Sequence, residues 1–247
     1  MARSVYGLVE AVVFTVLVFA ATITIQIYQP ATQGYFNIGE SMIYLAALTT
    51  TPLIAGISGG LGAALADLTT GYAIFAPGTL VIKFTEGFIA GLLVKKLRKI
   101  HGFISAVLTG GAYAASIVFV SSMLGGLSIG PSQIILPGTN ITIVFNPPYF
   151  EVALAVWIAI GALLGGLIFM VLMKKYIVSS EVYALAIGGL LMVLGYFLYE
   201  FFISNPLLGR PPESAVLEIP VNISQVIVGA SIAIPMAAWL RRAGFVK

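Results

Sequence analysis

Eight apolar stretches follow one another along the chain, at about residues 5–28, 40–57, 58–72, 79–97, 103–126, 149–173, 181–203 and 217–240. A membrane-spanning helix needs roughly 20 such residues, and a soluble domain needs about a quarter of its residues charged to keep its surface wet. Here 60% of the 247 residues are hydrophobic and only 9% are charged, so the chain cannot cover itself in water. The stretches are continuous rather than alternating, which favours helices over a transmembrane barrel. They predict an all-α polytopic membrane protein of about eight transmembrane helices, with residues 1–247 forming a single transmembrane domain. A nucleic-acid-binding module, a secreted disulfide scaffold and a soluble enzyme are excluded. There is no cysteine, which removes disulfides and thiolate chemistry, and one histidine, His101, is too few for a His-rich metal site. The first stretch follows Arg3 as a signal peptide would. At about 24 residues with no small-residue cleavage site after it, it reads as a helix.

Basic residues set the orientation, because Lys and Arg in short loops mark the cytoplasmic side. Arg3 precedes the first stretch; Lys95, Lys96, Arg98 and Lys99 follow the fourth; Lys174 and Lys175 follow the sixth; Arg241, Arg242 and Lys247 follow the last. Eight crossings place all of them inside, with both termini cytoplasmic. Only Arg210 falls in an outer loop, and Lys83 lies within a span. The tightest region is 40–72, which must cross twice with about 16 residues per pass. The cluster Gly56, Gly59, Gly60 and Gly62 is expected to form the inner turn; a single re-entrant hairpin is the alternative. Pro52 is expected to interrupt the second span and Pro235 the eighth, while residues 71–78 read as an outer turn.

Polar residues inside the spans are costly, roughly 2.5–3.5 kcal/mol for a charge near the bilayer centre, so each usually has a role or a partner. Asp67 lies near the outer end of its span. Lys83 and Glu86 are three apart on one helix face and can pair. Tyr196, Tyr199 and Glu200 sit near the outer end of the seventh stretch, and Glu218, Asn222 and Gln225 share a face at the start of the eighth. Each alone also reads as a cap or an interfacial residue, Glu218 especially, with Pro220 in the first turn behind it. The inner side has only Glu10 and Glu181 near helix ends. Together the outer residues predict an outward-facing polar pocket with aromatic walls, suited to a small, flat, partly polar ligand.

Several of these residues stand in motifs that resemble a known family. Tyr35-Phe36-Asn37-Ile38-Gly39-Glu40 leads into Leu45-Ala46-Ala47-Leu48 and Pro52-Leu53-Ile54-Ala55-Gly56. Then follow Gly59-Gly60-Leu61-Gly62, Ala66-Asp67-Leu68, Pro77-Gly78-Thr79-Leu80-Val81-Ile82-Lys83 and Glu86-Gly87-Phe88-Ile89-Ala90-Gly91. Met192-Val193-Leu194-Gly195-Tyr196-Phe197, Tyr199-Glu200 and Glu218-Ile219-Pro220-Val221-Asn222-Ile223-Ser224-Gln225 complete the set. In this order they resemble the substrate-binding S components of energy-coupling-factor (ECF) vitamin transporters. Members normally have six helices. The resemblance assigns 1–100 and 178–247 to an S-component-like core and 101–177 to an inserted helical hairpin. Its long outer loop, Gly125 to Pro148, either folds over the pocket or lies on the surface, and it holds the sequon Asn140-Ile141-Thr142.

The resemblance implies a protein of the cell membrane that captures a vitamin or precursor from outside, riboflavin-like or pyrimidine-like (a thiamin precursor, for example). Delivery would run through a transmembrane T component and two cytoplasmic ATPases. It implies ligand contacts at Phe36, Asn37, Lys83, Glu86, Tyr196, Glu200, Asn222 and Gln225. It further implies that the small-residue pair Ala11 and Thr15 of the first helix docks the T component. The chain has no GxxxxGK[ST] loop, so ATP is expected to be used by the partners, with no cofactor in this chain. No catalytic constellation is visible, so enzyme activity and nucleic-acid binding are not expected. An ion-coupled secondary transporter using Asp67, Lys83 and Glu86 is the alternative, against which stands the lack of a visible inverted repeat.

Overall fold

The computed structural model describes residues 2–29, 34–97, 103, 106–107, 109–111, 113–115, 118, 126–128, 133–135, 139, 141–146, 149–151, 153–174 and 179–246. Helix α1 (Ala2–Thr24) leads into a hairpin of β1 (Gln26–Gln29) and β2 (Gly34–Asn37), then α2 (Glu40–Thr49), α3 (Pro52–Thr70) and α4 (Ala76–Lys96). The described residues among 103–118 are helical. Four short strands follow: β3 (Gly126–Ser128), β4 (Gln133–Ile135), β5 (Thr142–Val144) and β6 (Tyr149–Glu151). Then come α5 (Leu154–Met173), α6 (Ser179–Tyr199) and α7 (Ile219–Arg242), with a π-turn at Glu200–Ser204 and a 3₁₀ segment at Pro212–Glu218 between the last two. Among the described residues six helices are long and apolar enough to cross a membrane. The chain is an all-α polytopic membrane protein. Arg98, Lys99, His101, Lys175, Lys247 and Asn140 lie outside the described residues, as do Pro131, Pro137, Pro147 and Pro148.

Residues 34–72 run through the bundle twice, but not as the sequence predicts. Helix α2 has ten residues, about 15 Å, half the hydrocarbon thickness. Its Glu40 meets Lys83 in mid-bundle, and its Leu48 carbonyl accepts a 2.9 Å bond from Arg241 at the far end. The outer half of this pass is strand β2, fully buried from Gly34 to Asn37. Extended backbone survives at that depth because its amide groups are paired, here with β1 in antiparallel register. The chain then reverses at Thr50 and Thr51. The Thr51 side chain accepts from the Ile54 amide at 3.3 Å, and Pro52 occupies the first turn of α3. Pro52 therefore starts a helix rather than interrupting one.

The expected inner turn at Gly56, Gly59, Gly60 and Gly62 is also corrected: all four lie inside α3. They are there because neighbouring backbones come too close for a side chain. A Cβ on Gly60 would sit 2.6 Å from the Leu80 carbonyl, and one on Gly59 would sit 2.9 Å from the Lys83 carbonyl. From the other side, a Cβ on Gly87 of α4 would sit 2.5 Å from the Ala55 carbonyl. In lipid, apolar side chains gain little from leaving the bilayer, so close backbone approach across small residues does the holding. The cost of glycine within a helix, roughly 1 kcal/mol each, is offset by that contact. Pro235, as expected, lies inside α7.

Helix α5 and the described residues near 110 are joined in the same way. Cβ atoms on Gly110 and Gly165 would each meet the other's carbonyl, at 2.7 and 2.5 Å, and one on Gly161 would lie 2.9 Å from the Ala114 carbonyl. Ala106, Ile168 and Leu172 enter one apolar core with residues of α6 and α7, such as Leu185 and Ile234. Outside, β3 pairs with β6 and β4 with β5. Strand β4 rests on the outer end of α3, and β3 approaches β1. The described residues between 103 and 174 thus reach from the α7 side of the core to the α3 side. At the opposite end Arg241 grips Glu181 with two bonds of 3.0 and 3.2 Å, tying α6, α7 and α2 together.

Gly60→Val should force α3 from α4 and destabilise the protein by about 1–3 kcal/mol, the usual cost of overpacking. Thermal unfolding of the detergent-solubilised variant, read as a lower Tm, checks this.

Candidate functional site

The site forms where the hairpin enters the bundle, between the outer halves of α3, α4, α6 and α7. Successive strand residues face opposite ways, so β2 sends Tyr35 and Asn37 into the pocket and Phe36 away from it. Asn37 donates through its side-chain nitrogen to Gln225 Oε1 at 2.6 Å. Gln225 in turn donates to Asn222 Oδ1 at 2.9 Å, three residues back on α7. Asn37 Oδ1 accepts the Gly39 amide at 2.8 Å, which fixes its rotamer and its polarity. Two amide side chains are thereby held in one orientation with groups to spare for a ligand.

Across the pocket Tyr35 donates to Asp67 Oδ1 at 2.6 Å. Tyr196 donates to Thr79 at 3.0 Å, and its ring lies beneath the Lys83 ammonium, 5.3 Å from the centroid. Glu200 opens the π-turn at the end of α6, a widened turn of the kind found at functional sites. Its Oε2 is buried and receives no hydrogen bond from the described residues. Glu218 caps α7 without a side-chain cap bond and lines the same space.

Lys83 sits between two carboxylates. It pairs with Glu40 and, at 3.4 Å, with Glu86, and none of the three side chains is more than 3% exposed. Tyr44 donates to Glu86 at 2.6 Å from below. A lone buried ammonium would be costly; the two carboxylates offset that cost and fix where it points.

Six of the residues singled out in the sequence therefore line one pocket: Asn37, Lys83, Tyr196, Glu200, Asn222 and Gln225. Asp67 and Glu218 join them. Phe36 does not; it is 3% exposed and packs in the core behind the strand. Glu86 does not line the space either; it pairs with Lys83, which does. Tyr35, Thr22, Thr79 and Phe75 line it unannounced, and Glu40 completes the ion cluster. The Tyr35–Asn37 alternation is the signal that would have found Tyr35, had 34–37 been read as a strand. On α1 the Ala11 carbonyl accepts from Ser58 of α3 at 3.1 Å, and Thr15 bonds back to Ala11 at 2.7 Å. That places the pair on the α3 side of the helix, while Leu8, Val9, Val12 and Val16 are exposed. The free volume of the pocket is about 40 Å³, room for a few waters, so its own side chains nearly fill it.

Residues 3–163 match the sequence model of the family described as ECF-type riboflavin transporter, S component. The match runs from α1 through the four short strands β3 to β6 and ends within α5, before α6 and α7. A 78-residue stretch is 49% identical to a protein of Pyrococcus woesei described as an uncharacterized protein in a gap 3' region. That stretch is 32% of this chain and 52% of the relative, so the chain spans about half the length of the curated relative it matches. No solved structure matches the chain.

Lys83→Met should strand two buried carboxylates and lower stability by about 3–5 kcal/mol. Adding Glu40→Gln to it should restore a substantial part, a coupling that a double-mutant cycle of thermal unfolding measures.

Proposed function

The chain belongs to the family of ECF-type riboflavin transporter S components, and from this we propose that it captures a riboflavin-like vitamin from the outside for import. It is a multi-pass protein of the cell membrane. The family match over residues 3–163 carries the reading. The pocket supports it: a flat heteroaromatic ring has amide, phenol and carboxylate groups converging on it from Asn37, Tyr35, Asn222 and Glu200. Asn222 and Gln225 read the polar edge of the ring, Tyr196 and Lys83 flank it, and Glu200 accepts from a donor on the ligand.

Delivery to the cytoplasm belongs to partners, a transmembrane T component and two ATPases that spend the ATP. Docking is assigned to α1, where Ala11 and Thr15 lie beside the exposed Leu8–Val16 stripe. In its most apolar window that helix is only 11% buried, the least covered of the six.

Calorimetry of the purified chain with riboflavin tests capture, and uptake in vesicles tests delivery. Riboflavin should bind, and Asn222→Ala should weaken it by about 1–3 kcal/mol, roughly 5- to 150-fold, the cost of one lost buried hydrogen bond. Uptake should require ATP and the partner subunits. Uptake by the chain alone, driven by an ion gradient, would replace this reading with ion-coupled transport.

A further inference from the structure

Outward of the polar pocket lies a second cavity of about 490 Å³, against about 40 Å³ below it. Pockets for vitamin-sized molecules run to roughly 300–1,000 Å³, so the outer space is the one that accepts such a ligand as the protein stands. Its walls are Tyr28 of β1, Tyr72 after α3 and Leu208 after α6, with Gln133 of β4 closing one side. Among the described residues its lining carries no charged side chain.

Two features join this chamber to the pocket beneath. Phe75 lines both, and the rings of Tyr35 below and Tyr72 above lie 4.3 Å apart between centroids, tilted by 44°. The partition is therefore made of aromatic side chains, which move by rotation without breaking backbone structure. The inserted segment has a defined seat here. Gly71 ends α3 in the left-handed region, φ 94°, and a Cβ on it would collide with the Gln133 amide.

We infer that the outer chamber is a second binding station for a planar heteroaromatic ligand, which docks there before the Tyr35–Tyr72 pair parts and admits it to the polar pocket. This rests on the reading of the chain as a riboflavin-type capture subunit. The chemistry divides between the stations. The chamber offers ring faces and one amide, enough to hold a flat ring without fixing its edge. The pocket offers the lysine, carboxylates and amides that fix the edge once the ring has entered. Gln133 gives the inserted hairpin a place in capture.

Stopped-flow quenching of riboflavin fluorescence, with the purified full-length chain in excess, tests the two stations. The unaltered protein should show a fast phase linear in protein concentration, then a slower phase independent of it. Tyr28 is 53% exposed, so Tyr28→Ala leaves the fold intact, and it should weaken the fast step roughly tenfold, the scale of one lost aromatic contact. Gln133→Ala should weaken the same step. A single phase in the unaltered protein, or two phases that neither substitution changes, overturns the station and leaves the functional reading standing. No quenching of riboflavin by the unaltered protein overturns both.

Discussion

Inside a bilayer no water is available to bond a bare amide, so any stretch that is not helix must find its partners within the protein. The hairpin of β1 and β2 is where this constraint is met with the most consequence. Its strands bond to each other, its inner strand is walled by α3 and α7, and α2 finishes the pass that β2 begins. A continuous helix over the same residues would satisfy its backbone unaided. Its side chains would then follow a 3.6-residue period, and Tyr35 and Asn37 would no longer share a face. The pocket exists because half of one pass is extended.

Electrostatics follow from the same geometry. Strand β2 ends at mid-depth, so α2 starts there, and Glu40 is delivered to Lys83 far from either surface. Lys83 and Glu86 are three apart on α4 and meet without help, but the pair alone does not fill the ammonium's coordination. Glu40 supplies the third member from across the bundle, and Gly229 of α7 leaves room for it: a Cβ at 229 would lie 3.0 Å from the Glu40 backbone carbonyl carbon.

Much of this was legible in the sequence, and the misreadings share a cause. Helical spacing brought Lys83 to Glu86 and Asn222 to Gln225, because contacts three residues apart are local. The membrane class followed from composition. The glycines of α3 misled because glycine serves both turns and close helix contacts, and only the neighbouring helix decides between them. Phe36 was credited and Tyr35 overlooked because four residues of strand carry too little periodicity to stand out among apolar spans. Glu40, 43 residues from Lys83, belongs to no local pattern. Nor could the sequence reveal that the polar pocket is nearly full, since free volume depends on every side chain around it.

Two ionic groups stand at different depths in the molecule, and they differ in their access to water. Glu40, Lys83 and Glu86 are sealed, with side chains no more than 3% exposed, whereas Arg241 and Glu181 are 17% and 13% exposed at the other end. Dissolved ions screen only charges they can approach, within about 10 Å at 0.1 M. Raising ionic strength therefore loosens the Arg241 clasp on α2, α6 and α7 while leaving the floor of the pocket as it was. The Arg241 end answers to the salt around it, and the polar pocket does not.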